Sequence, residues 1–173
     1  MHGEKCYLVH KLKIFFFLFI LLIVTWLAFT SSVAVQELTA GIVISIVLSL
    51  TLSKGYLELG FPPLEIKRVV FSIIYVLVLF REIVKANLDV ASRVIHPKMP
   101  IKPGIVAIKT DLKQDMAKFI LANSITLTPG TFTLDIIEDT LIIHWIDVQT
   151  EDAAERTKII GERFEKYLRL IFE

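Results

Sequence analysis

The stretch IFFFLFILLIVTWLAFTSSVAVQELTAGIVISIVLSLTLS, residues 14–53, decides the fold, because Glu37 is its only charged side chain. An α-helix needs about 20 apolar residues to cross the hydrocarbon layer of a bilayer. The stretch has forty residues, enough for two crossings. It therefore predicts a transmembrane helical hairpin over residues 14–54, with a tight turn near Thr30 to Glu37.

The two arms of this hairpin differ in chemistry. Residues 14–29 contain thirteen Leu, Ile, Phe or Val side chains, which together favour insertion by about 4 to 8 kcal/mol. The second arm carries Gly41, Ser45 and Ser49, small side chains that let helix backbones approach closely. We therefore expect the second helix to pack against a protein neighbour.

The ends of the hairpin carry lysines, which predict its orientation. The N-terminal segment, residues 1–13, contains Lys5, Lys11 and Lys13, and Lys54 follows the second arm. The positive-inside rule then places both ends in the cytoplasm. A secretory signal cleaved near Ser32-Val33-Ala34 is the alternative, but the apolar run is longer than the roughly 7 to 15 residues of a signal core. We expect a retained anchor.

Glu37 has two interpretations. An ionisable group at membrane depth would belong to a proton path, because such groups are costly there. A glutamate between two membrane helices is otherwise a solvated turn residue, and we favour that interpretation because both arms are long enough to place their junction in water.

Composition limits the rest of the chain. With 173 residues, 54% of them hydrophobic, and a net charge of +1, the chain suits a small membrane unit plus one compact domain. Lys and Arg show no basic stripe that would predict nucleic-acid binding. The lone Cys6 excludes an intrachain disulfide and a cysteine-ligated cluster.

A third helix is predicted over residues 64–96, after a loop at residues 55–63 that contains Gly60 and Pro62-Pro63, and it ends at His96-Pro97. It is apolar on all sides from Val69 to Phe80. Beyond that point charged side chains recur every four residues on one face: Arg81, Lys85, Asp89 and Arg93.

Whether this third helix crosses the membrane is left open. Its fully apolar part spans only about 18 Å, less than the roughly 30 Å of hydrocarbon. It is either a third transmembrane helix, which would put the C-terminal domain outside, or a membrane-associated helix that keeps this domain in the cytoplasm. We favour the second arrangement, with Arg81, Lys85 and Arg93 contacting lipid headgroups or a partner. A solvated helix face is the alternative for this stripe.

The C-terminal part follows a Pro-rich linker at residues 97–104 and is predicted to be a small α+β domain, residues 105–173, in the order β-α-β-β-α. The first helix is expected to be capped by Thr110-Asp111, with one apolar stripe of Leu112, Met116, Phe119 and Ile120. After Asn123 we expect an extended chain, with its apolar side chains half-buried and a break at Pro129-Gly130; these are Ile125, Leu127, Phe132, Leu134 and Ile136. A turn at Glu138-Asp139 predicts a hairpin, and Thr150 is expected to cap the last helix, which is apolar along Ile160, Phe164, Tyr167, Leu168 and Ile171.

No arrangement typical of catalysis, metal binding or cofactor binding is found in the sequence. The four histidines are scattered, and there is no Gly-rich phosphate loop or nucleophile elbow. The turn Thr126–Thr131 is distinctive. It is either a docking or gating contact at the membrane surface, or a rigid bend whose hydroxyls bond to local backbone groups.

Four motifs stand out in chain order: KANLDV at residues 85–90, PGIVA at 103–107, LANSITLTPGT at 121–131, and Asp147-Val148. Together they resemble landmarks of one family, the E subunit of Mrp-type multisubunit Na+/H+ antiporters. Related subunits occur in archaeal membrane-bound hydrogenases and similar ferredoxin-linked respiratory complexes, in which an antiporter module is attached to a redox arm.

The resemblance implies a membrane-helical N-terminal part and a cytoplasmic α/β domain without catalytic residues, cofactor or bound small-molecule substrate. The expected partners are other integral membrane subunits and the lipid bilayer of the cell membrane. The residues that match the family motifs, and that we take as interaction candidates, are Asn87, Asp89, Asn123, Thr126, Thr128, Pro129, Gly130 and Thr131.

Three functions are weighed. The first is an accessory, non-catalytic subunit of a cation/proton antiporter module, either in a stand-alone antiporter or in the ion-translocating arm of a redox-driven, hydrogenase-type complex. The second is a free-standing membrane-anchored domain that binds a soluble partner or ligand. A small membrane enzyme is the third and is disfavoured, because no converging polar groups can be placed in a pocket.

Overall fold

The computed structural model describes residues 2–59 and 65–173. The chain divides into two compact units, residues 1–64 and 65–173. We expected a boundary at the Pro-rich residues 97–104, but the division falls before the third helix. That helix packs within the second unit, for the reasons given below.

The first unit is the expected helical hairpin. Helices α1 (His2–Thr30) and α2 (Val35–Glu58) are joined by residues 31–34, where Ser31 has a φ of 48°. Both helices contain a stretch long and apolar enough to cross a membrane. Because α2 continues to Glu58, the loop predicted from residue 55 is wrong over its first four residues, and Gly60 and Pro62-Pro63 lie outside the described residues.

The small side chains of α2 face its neighbour α1. Gly41, Ser45, Ser49 and Ser53 form a buried row at four-residue intervals. A Cβ on Gly41 would lie 2.5 Å from Cδ1 of Trp26, whose Nε1 donates a hydrogen bond of 3.0 Å to the Glu37 carbonyl. The predicted protein neighbour is therefore the first helix of the same hairpin. Glu37 lies in the first turn of α2 and within the stretch long and apolar enough to cross a membrane, so both interpretations of this residue stay predictions.

The second unit begins with the long helix α3 (Ile66–Ile95), which ends at His96 as predicted. The predicted start at Leu64 lies outside the described residues. A three-stranded antiparallel sheet follows, made of β1 (Gly104–Lys109), β2 (Thr131–Ile137) and β3 (Thr140–Trp145) in the order β1-β3-β2. Helix α4 (Asp115–Leu127) connects β1 to β2. The predicted hairpin turn at Glu138-Asp139 is confirmed.

The C-terminal helix closes the core of this unit. It consists of α5 (Ala153–Thr157), a π-helical turn (Lys158–Glu162) and α6 (Arg163–Phe172). Asp152, not Thr150, caps it, because the Asp152 side chain accepts a hydrogen bond from the Ala154 amide. The predicted apolar stripe is buried except for Tyr167, and the core combines Ile108, Leu121, Ile125, Leu141, Ile143, Phe164 and Leu168.

Two predictions about α4 are wrong. Thr110-Asp111 do not cap the helix, which begins only at Asp115, so Leu112 precedes it and Phe119 is exposed. The helix also continues past Asn123 to Leu127, where an extended chain was expected. The buried stripe of α4 is instead Ala117, Leu121, Ala122 and Ile125.

The first half of β2 has its faces reversed relative to the prediction, whereas Ile136, which follows a register shift after Thr133, is half-buried as expected. Phe132 and Leu134 are about half exposed, whereas Thr131 and Thr133 pair with the buried Trp145 and Ile143 of β3. The threonines occupy the inner face because their hydroxyls donate hydrogen bonds to carbonyls of α4, as described below. Antiparallel strands usually bury their apolar side chains and expose the alternating polar ones. Here the hydrogen bonds to carbonyls of α4 reverse that preference.

Candidate functional site

The second unit contains a cleft of about 290 Å³ between α3, the bend at residues 128–131 and the segment that follows β3. Helix α3 contributes charged side chains together with Ala86 and Val90, and the bend contributes all four of its residues. The residues that line the cleft are Glu82, Lys85, Ala86, Asp89, Val90, Arg93, Thr128, Pro129, Gly130, Thr131, Trp145, Ile146, Asp147, Gln149, Ile159 and Arg163. Two motifs that are about forty positions apart in the sequence thus meet in one place.

Arg93 is the central charge of this cleft. Its Nε donates to Asp89 at 2.8 Å, and its Nη1 donates to Asp147 at 2.8 Å and to the Pro100 carbonyl at 3.0 Å. The hydrogen bond that Asp89 accepts is the largest effect and raises the pKa of the Arg93 guanidinium. Burial lowers this pKa, and the hydrogen bond that Asp147 accepts raises it again. Arg93 therefore remains charged and ties the end of α3 to the Pro-rich segment and to the segment after β3.

The predicted stripe of charges on α3 does not share one surface. Side chains four residues apart drift by about 40° around a helix with 3.6 residues per turn. Arg81 is consequently exposed, Lys85 lies at the cleft, and Arg93 turns inward until its side chain is only 18% exposed. The donors of Arg93 bond within the chain, and its contact with lipid or a partner stays a prediction.

The Thr-rich bend has the hydrogen bonds of a rigid turn. Thr128 Oγ1 donates to Ser124 O at 2.8 Å, and Thr131 Oγ1 donates to Ile125 O at 2.7 Å. Thr126 Oγ1 donates to Ala122 O at 2.9 Å and accepts from the Thr133 amide. The Ser124 and Ile125 carbonyls are among the last four of α4, which have no amide partner within the helix, whereas the Ala122 carbonyl lies earlier in the helix. This is the second of the two interpretations of the bend.

Gly130 is required at the bend for two independent reasons. Its φ of 91° lies in the left-handed region, which costs roughly 1 to 2 kcal/mol for a residue with a Cβ. A Cβ would also lie 3.0 Å from Cγ2 of Ile146 and 3.6 Å from Cγ2 of Val90. The glycine therefore permits α3, the bend and the segment after β3 to approach one another.

A buried ion pair at the cleft was missed by the sequence analysis. Glu82 is 6% exposed, and it accepts hydrogen bonds from Arg163 of α6 at 2.9 Å and from Arg81 at 3.1 Å. Burial lowers the pKa of Arg163, and the charge and hydrogen bond of Glu82 oppose that change. A signal was available, because Glu82 lies seven residues after Tyr75 and so on the same helix face.

Several predicted residues do not take part in the cleft. The Asn87 and Asn123 side chains are exposed and donate to carbonyls one turn earlier, those of Ile83 and Phe119. Thr126 supports the bend from outside the cleft. Lys85 does line the cleft, and it has no hydrogen-bond or ion-pair partner among residues 2–59 and 65–173.

The charged side chains of the cleft hold segments of the chain in place. Asp89 and Asp147 are both bonded to Arg93, and Glu82 is bonded to Arg163, so each carboxylate is opposed by an arginine. Within the described part of the chain, no group of three or more His, Cys, Asp or Glu side chains is placed to hold a metal ion. Chemically, the arrangement joins three separate segments around α3.

The hairpin and the α+β unit together define a membrane protein with a small, internally braced second unit. A family described as Na+/H+ ion antiporter subunit matches residues 19–171, and the chain belongs to this family. The resemblance inferred from the four motifs is thereby confirmed.

Individual relatives match over nearly the same length. The E subunit of the Na+/H+ antiporter of Alkalihalophilus pseudofirmus is 34% identical over 152 residues, covering 87% of this chain and 90% of the relative. The E1 subunit of the Na+/H+ antiporter of a Staphylococcus aureus strain is also 34% identical, covering 87% and 92%. A chain in the structure of the membrane-bound sulfane sulfur reductase, an archaeal respiratory membrane complex, is 44% identical with a TM-score of 0.77, covering 92% and 99%.

Proposed function

We propose that this chain is a non-catalytic accessory subunit of a multisubunit cation/proton antiporter module, and that its partners are other integral membrane subunits. The observation that carries the proposal is the family match over residues 19–171, which includes both the hairpin and the second unit. A likeness to only one of the two units would not support a common role.

The chemistry of the cleft supports a structural role. A carboxylate that moves protons must be able to lose its partner, whereas Glu82 and Asp147 are held by Arg163 and Arg93 at 2.9 and 2.8 Å. Removing one member of such a buried pair leaves an uncompensated charge, which is strongly unfavourable. We therefore assign ion movement to the partner subunits and assign this chain the bracing of their assembly.

The larger assembly that we favour is a membrane-bound respiratory complex in which the antiporter module is the ion-translocating arm. The 44% identity to a chain of an archaeal respiratory complex exceeds the 34% identity to the antiporter subunits of Alkalihalophilus and Staphylococcus. A stand-alone antiporter is the alternative, and the partners found by experiment separate the two.

We place the second unit on the cytoplasmic side of the cell membrane. Lys11 and Lys13 precede the first candidate span and Lys54 lies at the end of the second. By the positive-inside rule both ends of the hairpin then face the cytoplasm. The test is Lys158→Cys, at an exposed position, in a Cys6→Ser background. We expect a membrane-impermeant thiol reagent to label it in inside-out vesicles and not in intact cells.

The decisive experiment is mild-detergent extraction of the tagged chain from its native membrane, followed by identification of the proteins that co-purify. Large antiporter-like subunits alone would indicate an antiporter, and additional metal-cluster proteins would indicate a respiratory complex. A matched control is the hairpin alone, ending at Leu59 with the same tag, which separates partners held by the helices from those held by the second unit. Recovery of a stable monomer would overturn the proposal.

A free-standing membrane-anchored binding domain is the second candidate. The observation in its favour is the cleft of about 290 Å³ with Lys85 at its wall. This candidate predicts a monomer whose melting temperature rises when a soluble ligand is added. The variant Lys85→Met should have the same melting temperature as the wild type without ligand, and the ligand should not raise it.

A further inference from the structure

Helix α3 has an inverted distribution of polarity. The side that packs on the second unit carries Tyr75, Glu82 and Arg93, whereas the opposite side is apolar along the whole helix and exposed. Side chains on this outer face recur every three or four residues, as one helix surface requires. They include Ile66, Val70, Ile73, Leu77, Val84 and Leu88, all exposed by at least about two fifths.

The inner face of α3 is bonded to the second unit from one end to the other. Arg68 Nη1 donates to the Ile171 carbonyl at 2.9 Å, and Arg93 bonds Asp147. Between these two points Tyr75 bonds Ser124 and Glu82 bonds Arg163. From Arg68 to Arg93 the helix extends about 38 Å at 1.5 Å per residue.

This continuous docking excludes a crossing of the bilayer by α3. Its length exceeds the roughly 30 Å of hydrocarbon, so a crossing would draw Glu82, Arg163 and the α+β unit bonded to them into lipid. Charges at the bilayer centre are unfavourable by several kcal/mol each. The helix can instead lie parallel to the membrane with only its outer face in contact with lipid.

The flank of the outer face is cationic. Lys67, Arg81 and Lys85 lie within about 60 to 100° of the centre of the apolar stripe on one side, at 100° per residue. Arg81 is 76% exposed despite its contact with Glu82. The two acidic side chains of the helix, Glu82 and Asp89, are both bonded to arginines. The exposed charge beside the apolar face is therefore positive and complements anionic headgroups.

We infer that α3 lies in the plane of the membrane interface, with its outer face at the acyl-chain boundary and Lys67, Arg81 and Lys85 at the headgroups of anionic phospholipids. The inference rests on the membrane placement in the proposed function. The second unit is then held flat on the bilayer by a helix that is part of its own fold.

Depth-dependent quenching in vesicles tests this arrangement with the full chain. In a Cys6→Ser background, Val70→Cys, Leu77→Cys and Val84→Cys each carry a fluorophore, and His144→Cys on the exposed face of β3 is the control. Nitroxides are placed near the headgroup or near the end of the acyl chain of the lipid. We expect equally shallow quenching at all three α3 positions and none at the control. Quenching whose depth changes along the helix indicates a crossing, and absence of quenching indicates water or a protein cover; either overturns the inference.

The lipid class is tested with charge variants. The vesicles contain phosphatidylcholine mixed with phosphatidylglycerol. In them the triple variant Lys67→Gln/Arg81→Gln/Lys85→Gln should shift the equilibrium between lipid-bound and unbound α3 toward the unbound helix. The expected shift is about fivefold per cation removed, because each cation near an anionic surface contributes roughly 1 kcal/mol. The matched triple variant Lys98→Gln/Lys109→Gln/Lys158→Gln should leave it unchanged. Equal behaviour of the two triple variants would overturn the role of anionic lipid.

These results are independent of the identity of the complex. Uniform shallow quenching of a chain that co-purifies with no antiporter-like subunit would retain the inference and reject the proposed function. Co-purification of such subunits with a chain whose α3 is not quenched would do the reverse.

Discussion

Helices α3 and α6 pack against each other and each buries a glutamate, Glu82 and Glu165, yet their exposed faces differ in chemistry. Helix α6 buries Phe164 and Leu168 and exposes Lys166, as a helix on a solvated domain does. Helix α3 buries Glu82 and exposes Phe80. Two neighbouring helices of one unit are thus suited to two different surroundings, water around α6 and an apolar phase around α3.

The hairpin resembles α3 and not α6 in this respect. The buried row of α2 consists of Ser45, Ser49 and Ser53 beside Gly41, while the large apolar side chains of the hairpin, apart from the buried Ile14, are exposed or half-exposed in the described residues. Small and polar residues at helix contacts with apolar residues outside are typical of helices in lipid. The comparison supports the inference that the boundary between lipid and water runs through the second unit, along α3.

The largest expected effect compares a buried phenylalanine of α6 with an exposed phenylalanine of α3. Phe164→Ala should lower the free energy of unfolding of the second unit by about 3 to 5 kcal/mol, because a fully buried phenylalanine is lost from the core. Phe80→Ala is the matched control and should change it by less than about 0.5 kcal/mol, because Phe80 is 66% exposed. Thermal unfolding in detergent, followed by near-UV circular dichroism, measures both. Equal losses would abolish the distinction between α6 and α3.

The polar inner face of α3 is tested by its buried ion pair. Glu82→Ala should destabilise the second unit by about 2 to 3 kcal/mol, at or below the lower end for a buried pair because Arg163 retains partial access to water. The double variant Glu82→Met/Arg163→Met should recover most of this loss, since neither charge is then left alone. If the double variant is as unstable as the single one, the pair is not what docks α3.

The contact between α3 and the bend is tested at Gly130. Gly130→Ala should lower stability by roughly 1 to 2 kcal/mol through its left-handed backbone alone, and its approach to Ile146 adds to this. Gly55→Ala is the control, because no atom lies within 4 Å of its added Cβ and alanine favours a helix by up to about 1 kcal/mol. Melting temperatures should therefore shift in opposite directions.

The smallest expected effect concerns the solvated end of the sheet. The hydrogen bond and then the charge of Lys118 lower the pKa of Asp139. A lowered pKa in the folded state means that the stabilisation is present above the ordinary aspartate value of about 3.9 and is lost as pH falls through the folded value. The difference in melting temperature between the wild type and Asp139→Asn should vanish in acid.

Much of the architecture could be predicted because it depends on local signals. The hairpin follows from uninterrupted apolar length, and the order β-α-β-β-α follows from changes in periodicity and from turn residues such as Pro129-Gly130. The family resemblance was carried by short motifs at fixed positions. These features need no knowledge of which segments meet.

The errors have a common physical cause, which is competition between segments. The chain after Asn123 alternates like a strand, yet it stays helical to Leu127 because the hydroxyls of Thr131 and Thr133 bond to carbonyls of α4. The same bonds turn these threonines inward and Phe132 outward. The position of Arg93 likewise depends on Asp147, a residue 54 positions away.

Apolar length and periodicity, read from the sequence alone, determined that two helices are suited to lipid and that a small α+β unit follows, because both properties arise from neighbouring residues. Only the tertiary structure decided that α3 belongs to this unit, that it buries Glu82 and exposes its apolar face, and that two distant motifs form one cleft. Those outcomes depend on ion pairs and hydrogen bonds between residues far apart in the chain, whose partners no local pattern identifies.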